Sequence, residues 1–308
     1  MRMRVFMDGG QGLNGPGNIG GMITRRGFVA SGFAAVAAGL PPGVVAEAGT
    51  ASAGEIRLGV ASYSFHKFER QHVLGFLKEL ACTRINSKDV LDHLPMTPME
   101  ATDAAVAAYR AAGITLTGGG VIYFPKADEA DVRAKFVYAR RAGLPLIVGA
   151  PTHASLPVVE KLVKEFDLPV AIHNHGPEDS EWPSPIDILA VLEPKGGPTM
   201  DARMGLCVDV GHCARTGIDV AAAIRRAGPR VLGVHIKDLA DMRVKESQVA
   251  VGDGKMPVAE IFRALVAIEY KGTVDLEYEI HDDDPLPGMV KSFAYMRGVL
   301  AGLGYRAG

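Results

Sequence analysis

Residues 169–176 read P-V-A-I-H-N-H-G, and residues 204–212 read M-G-L-C-V-D-V-G-H. Both stretches begin with a short apolar run, which is typical of a buried β-strand, and both end in polar residues and glycine. Strands of this kind, each followed by an amphipathic segment, are typical of parallel βαβ units. The two stretches therefore predict successive strands of a parallel sheet with ionisable residues at their carboxyl ends.

The same alternation extends in both directions, from Ile56 to the end of the chain. Thr97 and Glu100 form a capping-box motif at the start of one helical segment, and Gly143 follows another. The clearest helical segments are 98–112, 128–142, 220–227 and 258–268. The eight predicted strands are 57–62, 84–88, 114–118, 145–149, 169–173, 204–209, 231–235 and 273–277.

Eight strand and helix units in about 255 residues match an α/β fold of the (β/α)8 TIM barrel type. We therefore predict a single barrel domain over residues 54–308. An open, doubly wound sheet is the alternative. It is disfavoured because residues 118–120 read G-G-G rather than the G-x-G-x-x-G phosphate loop that such sheets carry.

Ionisable residues lie at the carboxyl ends of four consecutive predicted strands. Alternate residues of a barrel strand point into the interior, and the active site of a barrel lies at the carboxyl ends of its strands. Four strands should therefore direct histidine, aspartate or glutamate to one rim. The inward-facing set is His173 and His175 of the fifth strand, Asp209 of the sixth with His212 just beyond it, His235 and Lys237 of the seventh, and Asp275, Glu277 and Glu279 of the eighth.

One divalent metal ion would explain four such side chains in register. Buried carboxylates and imidazoles are costly in free energy unless they have partners. A mixed nitrogen and oxygen set with open water positions suits Mn²⁺, Co²⁺, Mg²⁺, Fe²⁺ or Zn²⁺ better than Ca²⁺. We therefore predict His173, Asp209, His235 and Glu277 as metal ligands. Taken singly, each of them could instead cap a helix or satisfy a loop.

The strand-end signatures H-N-H-G, D-V-G-H, H-I-K-D and L-E-Y-E resemble those of the xylose-isomerase-like TIM-barrel superfamily of sugar isomerases and epimerases. The resemblance covers the chain from Ile56 to its C-terminus. In that family a Glu, an Asp, a His and a Glu bind one metal ion, and the two glutamates move protons next to a carbonyl. Asp209, His235 and Glu277 match the last three positions, but His173 stands where many members carry Glu. The resemblance implies a metal-dependent sugar isomerase or epimerase acting on a keto sugar.

The histidine at position 173 keeps two alternatives open. A histidine-rich fifth strand resembles the inosose dehydratase branch of the family, which implies a lyase, and elimination needs only one base and one acid. Glu277 is the candidate base, and His175, His212 and Lys237 are candidate acids or hydroxyl-binding groups. Each of these three could instead form a hydrogen bond to a metal ligand and orient it. The second alternative is a sugar-binding barrel without catalytic activity.

Four more residues near the predicted strand ends are candidate substrate contacts. Lys88 and His93 follow the second strand, and Arg215 follows the sixth. Trp182, in the loop after the fifth strand, could stack on a sugar face or simply cover the barrel mouth. The three charged or titratable residues could equally be solvated surface groups.

The charge balance favours a small-molecule sugar substrate over nucleic acid. The 308 residues include 33 Lys and Arg against 35 Asp and Glu, a net charge of −2. A nucleic-acid binder normally has a basic field, which argues against the endonucleases of the same superfamily. No particular oligomeric state is predicted.

The N-terminal segment reads as a twin-arginine secretion signal. Residues 22–28 spell M-I-T-R-R-G-F, and residues 29–40 are small, apolar and too few to form a stable membrane span. Small-residue cleavage options occur at 46–48 and 51–53, and Met22 could be the true start. We expect residues 1–53 to be removed, giving a periplasmic or secreted protein without stable membrane insertion; an uncleaved anchor or a disordered tail is the alternative.

Overall fold

The computed structural model describes residues 54–308, and within this range the predicted barrel is confirmed. Eight parallel strands pair in chain order, and the last pairs with the first, with Arg57 beside Thr273. The predicted signal peptide lies outside the described residues. The strands are β1 (Glu55–Ala61), β2 (Arg84–Ser87), β3 (Thr115–Phe124), β4 (Ile147–Pro151), β5 (Val170–His173), β6 (Met204–Asp209), β7 (Val231–Ile236) and β8 (Thr273–Leu276).

Helices surround the barrel and pack on the outward-facing apolar residues of the strands. Their apolar faces and the outer faces of the strands form one large hydrophobic core, which holds the strand ends in fixed positions. The helices are α1 (Arg70–Glu79), α2 (Met99–Ala111), α3 (Glu129–Arg141), α4 (Leu156–Phe166), α5 (Pro185–Leu192), α6 (Val210–Arg215), α7 (Val220–Ala227), α8 (Val258–Ala267) and α9 (Leu286–Gly302).

The observed N-caps of two helices can be compared with the capping residues that the sequence indicates. Asp128 caps α3 as its position predicts, accepting hydrogen bonds from the amides of Ala130 and Asp131. The capping box predicted at Thr97 is wrong. The N-cap of α2 is Pro98, in an extended conformation, and no side chain caps this helix. Because the helix begins one residue later than predicted, Glu100 is its second residue and not the third, which a capping box requires.

The inside of the barrel is apolar on one side and polar on the other. Val121, Val148, Ala171 and Cys207 form a small apolar cluster contributed by β3 to β6. On the opposite side Asn86, Asp275 and their neighbours are buried polar residues. Barrels usually fill this space with branched apolar side chains, so these buried polar residues depart from the usual packing of a barrel interior.

A short antiparallel hairpin, Asp238–Leu239 with Gln248–Val249, follows β7 at the mouth of the barrel. Asp238, the last residue of the H-I-K-D signature, is buried and accepts hydrogen bonds from the amides of Leu239, Gly252, Gly254 and Met256. It therefore organises the loop. At the other end of the chain Arg306–Ala307 pairs with the start of β1. Within residues 54–308, no helix has both the length and the hydrophobicity that crossing a bilayer requires.

Candidate metal centre and active site

Four predicted ligands meet at the carboxyl end of the barrel. His173 ends β5, Asp209 ends β6, His235 lies in β7, and Glu277 follows β8 directly. Because the strands are parallel and adjacent, their register brings Asp209 beside His235. One ligand atom from each side chain lies within 4.8 Å of the other three, and the four residues are between 0% and 6% exposed. We call these four residues the candidate ligand cluster.

The donor atoms of the cluster face one another closely. The His173 Nε2 atom lies 3.1 Å from His235 Nδ1 and 3.7 Å from Asp209 Oδ2, and His235 Nδ1 lies 3.3 Å from Glu277 Oε2. The Asp209 Oδ2 atom is buried and accepts no well-directed hydrogen bond. Two imidazole nitrogens and two carboxylates, buried together, are a donor set that fits a divalent cation. Metal binding at this cluster stays a prediction.

Cys207 offers an alternative third ligand, because its thiol lies within the same distance range of His173 and His235. Burial raises the pKa of this thiol, which keeps it protonated. A thiol must lose its proton to bind a metal, so the carboxylate-containing set is the better one. Burial and the neighbouring His235 hold the pKa of His173 well below its ordinary value, which favours the neutral imidazole that a metal needs.

Lys237 lies among the carboxylates of the site. Its ammonium nitrogen is 3.0 Å from Asp209 Oδ2, 2.9 Å from Glu277 Oε2 and 2.7 Å from Glu279 Oε2. Burial alone would lower the pKa of Lys237, but the three carboxylates raise it well above its ordinary value. Burial would likewise raise the pKa of Glu277, whereas Lys237 and His235 hold it well below its ordinary range. The site therefore contains a compensated pair of a cationic lysine and an anionic glutamate.

Two asparagines that the sequence analysis missed hold the cluster in place. The side-chain amide of Asn174 bonds to both backbone groups of Asp209, at 3.1 and 3.0 Å. The Asn86 Nδ2 atom lies 3.0 Å from Nε2 of His235. Asp209 Oδ1 accepts the amide of His212 at 2.7 Å and thereby caps α6. Only the inward position of Asn86 on its strand could have indicated its role.

A cavity of about 630 Å³ opens above β5 to β8 at the barrel mouth, and it contains most of the predicted chemistry. His175, His212, Lys237 and Arg215 all line it, together with Glu279 and residues of the short hairpin. A cavity of this size with several converging polar groups is typical of a small-molecule site. The three predicted acid or hydroxyl-binding residues and one of the predicted substrate contacts are thus brought together.

The two other cationic candidates occupy different positions around the rim. The Arg215 side chain is buried and forms an ion pair with Glu178 at the edge of the cavity. Lys88 is half-buried on the side of β1 to β3, where its ammonium lies 4.7 Å from the ring centre of Tyr63 and 5.3 Å from that of Tyr123. Burial lowers the pKa of Lys88. Lys88 is therefore available at the rim but does not line the cavity above β5 to β8.

The structure places two of the predicted substrate contacts, His93 and Trp182, away from the lining of this cavity. His93 is completely buried, and its Nε2 donates to the carbonyl oxygen of Phe68 at 2.7 Å. Trp182 is 1% exposed, donates its indole N–H to the carbonyl of Pro151, and stacks on His153. Both rings fold back under their loops and join the packing of the domain. Neither reaches the cavity, because burying a large ring stabilises the loop more than exposing it would.

Comparison with known proteins agrees with this architecture. A family model described as a xylose isomerase-like TIM barrel matches residues 86–299. No curated protein matches the chain. Among solved structures, the IolI protein with a bound zinc atom superposes with a TM-score of 0.66 at 14% identity, covering 80% of this chain and 99% of that one.

Two further solved structures share the fold. A D-psicose 3-epimerase, solved in the presence of D-fructose, has a TM-score of 0.62 at 16% identity, with 80% and 100% of the two chains covered. The probable 3-DHS dehydratase AsbF from Bacillus anthracis has a TM-score of 0.63 at 12% identity, with 78% and 99% covered. At these identities the likeness establishes the shared fold.

Proposed function

Because the chain belongs to the xylose isomerase-like TIM barrel family, we propose that it is a divalent-metal-dependent sugar isomerase or epimerase that removes a proton next to the carbonyl of a keto sugar. One observation carries the proposal. Four buried ligand atoms converge within 4.8 Å beneath a polar cavity at the end of the barrel where barrel enzymes have their active sites. The metal's identity is left open among Mn²⁺, Co²⁺, Mg²⁺, Fe²⁺ and Zn²⁺.

The ligands would be His173, Asp209, His235 and Glu277. When bound, a divalent ion supplies Lewis acidity, which polarises a substrate carbonyl and lowers the cost of forming the neighbouring enolate by several kcal/mol. The remaining requirements are a base, which Glu277 of the cluster would supply, and a proton donor and groups that orient the sugar, which would come from side chains of the cavity.

Glu277 is the proposed base. Lys237 keeps its carboxylate anionic, so it can accept the proton on the carbon next to the carbonyl. The same carboxylate can return that proton to the former carbonyl carbon while the proton of the neighbouring hydroxyl passes to the former carbonyl oxygen, and the two transfers together give isomerisation on one face of the sugar. Epimerisation also needs a proton from the opposite face, for which His175 and His212 are the candidates because both line the cavity.

The cavity suits an uncharged sugar. His175, His212, Arg215 and Lys237 can donate hydrogen bonds to hydroxyl groups, and acidic side chains such as Glu279 can accept them. Cationic and anionic side chains both line the wall, whereas a phosphate site is typically rich in cationic groups. This mixed lining supports an unphosphorylated keto sugar as the substrate class.

Elimination by a keto-sugar lyase or dehydratase is the second candidate, and the residue at position 173 favours it. His173 supplies a neutral imidazole where many family members have a carboxylate, so Glu277 lacks a second glutamate across the cluster. Candidate acids lie near this single base, since His175 and His212 line the cavity above the cluster. One base and one acid suffice to remove a proton and expel a neighbouring oxygen.

Solvent exchange tests the proposal. Protein loaded with Mn²⁺, Co²⁺ or Zn²⁺ is incubated in D₂O with a panel of keto sugars, and deuterium incorporation and products are followed by NMR. We expect deuterium at the carbon next to the carbonyl, and isomerised or epimerised products rather than dehydrated ones. Glu277→Gln should slow exchange roughly 100-fold or more, because a general base is lost. Glu279 also pairs with Lys237 but is not a member of the candidate ligand cluster, so Glu279→Gln should slow exchange far less.

The outcomes separate the candidates. A dehydrated product supports the lyase, and His173→Glu should then retain the metal and shift product towards epimerisation by restoring a second carboxylate. Metal-loaded protein that exchanges no proton of any sugar but still binds one contradicts both enzymes and supports a binding barrel without catalytic activity.

A further inference from the structure

Asn86 lies inside the barrel beneath the candidate ligand cluster. It is 1% exposed, and its strand position directs it inward below the rim. Its Nδ2 atom lies 3.0 Å from Nε2 of His235, while its Oδ1 atom is buried without a hydrogen-bond partner. A buried acceptor without a donor costs free energy, so this amide is only half satisfied in the arrangement observed.

The two ring nitrogens of His235 face different surroundings. The Nδ1 atom faces the cluster, since it lies 3.1 Å from His173 Nε2 and 3.3 Å from Glu277 Oε2. The Nε2 atom faces Asn86. A cation in the cluster needs the lone pair of Nδ1, so the single proton of the neutral ring must then be on Nε2. That N–H requires an acceptor, and the side-chain amide of Asn86 lies at hydrogen-bonding distance from Nε2.

We propose that Asn86 is a positioning residue for the metal ligand His235, and that its amide presents Oδ1 to Nε2 when a cation is bound. This inference rests on the proposed metal dependence. From the observed orientation, the amide turns by 180° about its terminal bond, which exchanges Nδ2 for Oδ1 next to the imidazole. The turn gives the unpartnered Oδ1 a donor and fixes the tautomer in which Nδ1 can bind a metal.

The polar lower half of the barrel can receive the turned amide. Asn86, Thr117 and Asp275 line one cavity of about 650 Å³ at the amino ends of the strands. The Thr117 Oγ1 and Asp275 Oδ1 atoms are buried in this region without hydrogen-bond partners, so the region holds further polar atoms that are not satisfied within the protein. Gly118 keeps space beside the amide, because a methyl group at that position would lie 3.2 Å from Asn86 Oδ1.

The test compares two substitutions that separate hydrogen bonding from shape. Asn86→Leu keeps the volume but accepts no hydrogen bond, and Asn86→Asp can only accept. Zn²⁺ affinity is measured by competition with a chromophoric chelator, and ¹⁵N NMR reports which nitrogen of His235 carries the proton in the zinc-loaded protein. Ser87→Ala is the matched control, since Ser87 is buried on the same strand but bonds to Tyr109 on the other face. Thermal unfolding in excess chelator checks that each variant folds.

We expect Asn86→Leu to weaken Zn²⁺ binding by roughly 10- to 100-fold, the usual effect of losing the partner of a metal-bound histidine. Asn86→Asp should bind at least as tightly as wild type, Ser87→Ala should bind like wild type, and loaded wild type should carry the His235 proton on Nε2. Equal affinity of wild type and Asn86→Leu, or a proton on Nδ1 in the loaded protein, overturns the inference alone. A wild-type protein that takes up no metal overturns the proposed function together with it.

Discussion

Lys237 is the residue on which the charge balance of the site depends. Its ammonium lies within 3.0 Å of oxygens of Asp209 and Glu277, which are also the proposed anionic metal ligands. An internal cation therefore compensates these carboxylates, and an incoming divalent ion must share them with it. The lysine stabilises the metal-free protein and at the same time opposes tight metal binding.

Replacing this lysine should separate the two effects. Lys237→Met keeps much of the volume and removes the charge, leaving two buried carboxylates without a counter-ion. We expect the metal-free protein to lose about 3–5 kcal/mol of stability, the usual cost of breaking a buried pair, and Zn²⁺ to bind more tightly. Denaturant unfolding in chelator and Zn²⁺ titration measure the two effects. Lys245→Met, at an exposed position of the same cavity, is the control. Weaker zinc binding in Lys237→Met would contradict this account.

At the residue scale, the sequence predicted the cluster but not its supports. His173, Asp209, His235 and Glu277 could be found because each ends a strand, and parallel strands end together. Asn86 was missed, since only its inward strand position pointed to it and its partner His235 is 149 positions away. His93 and Trp182, predicted as substrate contacts, are buried and do not line the cavity. Distance along the chain from a strand end does not show whether a loop residue turns towards the cavity or into the core.

At the scale of elements, the eight strands were predicted because each is a short apolar run between helical patterns. The exception in length is β3, predicted to end at Gly118 but continuing to Phe124. Three consecutive glycines indicate a turn in the sequence, because glycine weakens the interior of an ordinary strand. Here they lie within β3, where a methyl group at Gly119 would overlap Leu144 and Gly120 has a φ of +146°. The hairpin after β7 is too short to have a periodic signal.

Gly59 of β1 provides a stability test of the same close packing. It pairs in register with Asp275, and a methyl group added there would overlap the Asp275 carboxylate. Gly59→Ala should therefore destabilise the protein by about 1–3 kcal/mol through overpacking. Gly75→Ala is the matched control, because Gly75 is in α1 with no atom near the added methyl, and should stabilise by about 0.5–1 kcal/mol. Urea unfolding measures both, and equal effects would contradict the packing argument.

The loop after β2 should make stability depend on pH through His93. Burial lowers the pKa of this imidazole below its ordinary value of 6.5, so the folded state prefers the neutral ring. Its contribution to stability is present above pH 6.5 and decreases as pH falls through 6.5 towards the lowered folded value, because the unfolded chain binds the proton first. His93→Gln should flatten the decline in unfolding free energy below pH 6.5, measured by urea titration at several pH values. If the variant and the wild-type protein lose unfolding free energy equally steeply below pH 6.5, groups other than His93 cause the decline.

On the scale of the whole molecule, we propose that the chain is exported through the twin-arginine route. The motif M-I-T-R-R-G-F occupies residues 22–28, ahead of the barrel. Expressed with its leader, the protein should be found in the periplasm as a shortened chain. Changing Arg25 and Arg26 to Lys should retain it in the cytoplasm, since the paired guanidinium groups rather than the charge are recognised. Cell fractionation and mass spectrometry decide the matter, and full export of the double variant would refute it.

Metal binding should be visible in the stability of the whole barrel. The cluster takes one residue from each of four consecutive strand ends, so a cation bound there joins half of the barrel rim. A ligand present at about 1,000 times its Kd stabilises the folded state by roughly 4 kcal/mol, which for a domain of this size raises Tm by roughly 8–16 °C. Calorimetry with Mn²⁺, Co²⁺ or Zn²⁺ against chelator measures the shift. Asp209→Asn can still accept the amide of His212 but lacks the charge, so it should fold and show little metal-dependent shift. Wild-type protein whose Tm does not respond to any of these ions would rule out a cation at the cluster.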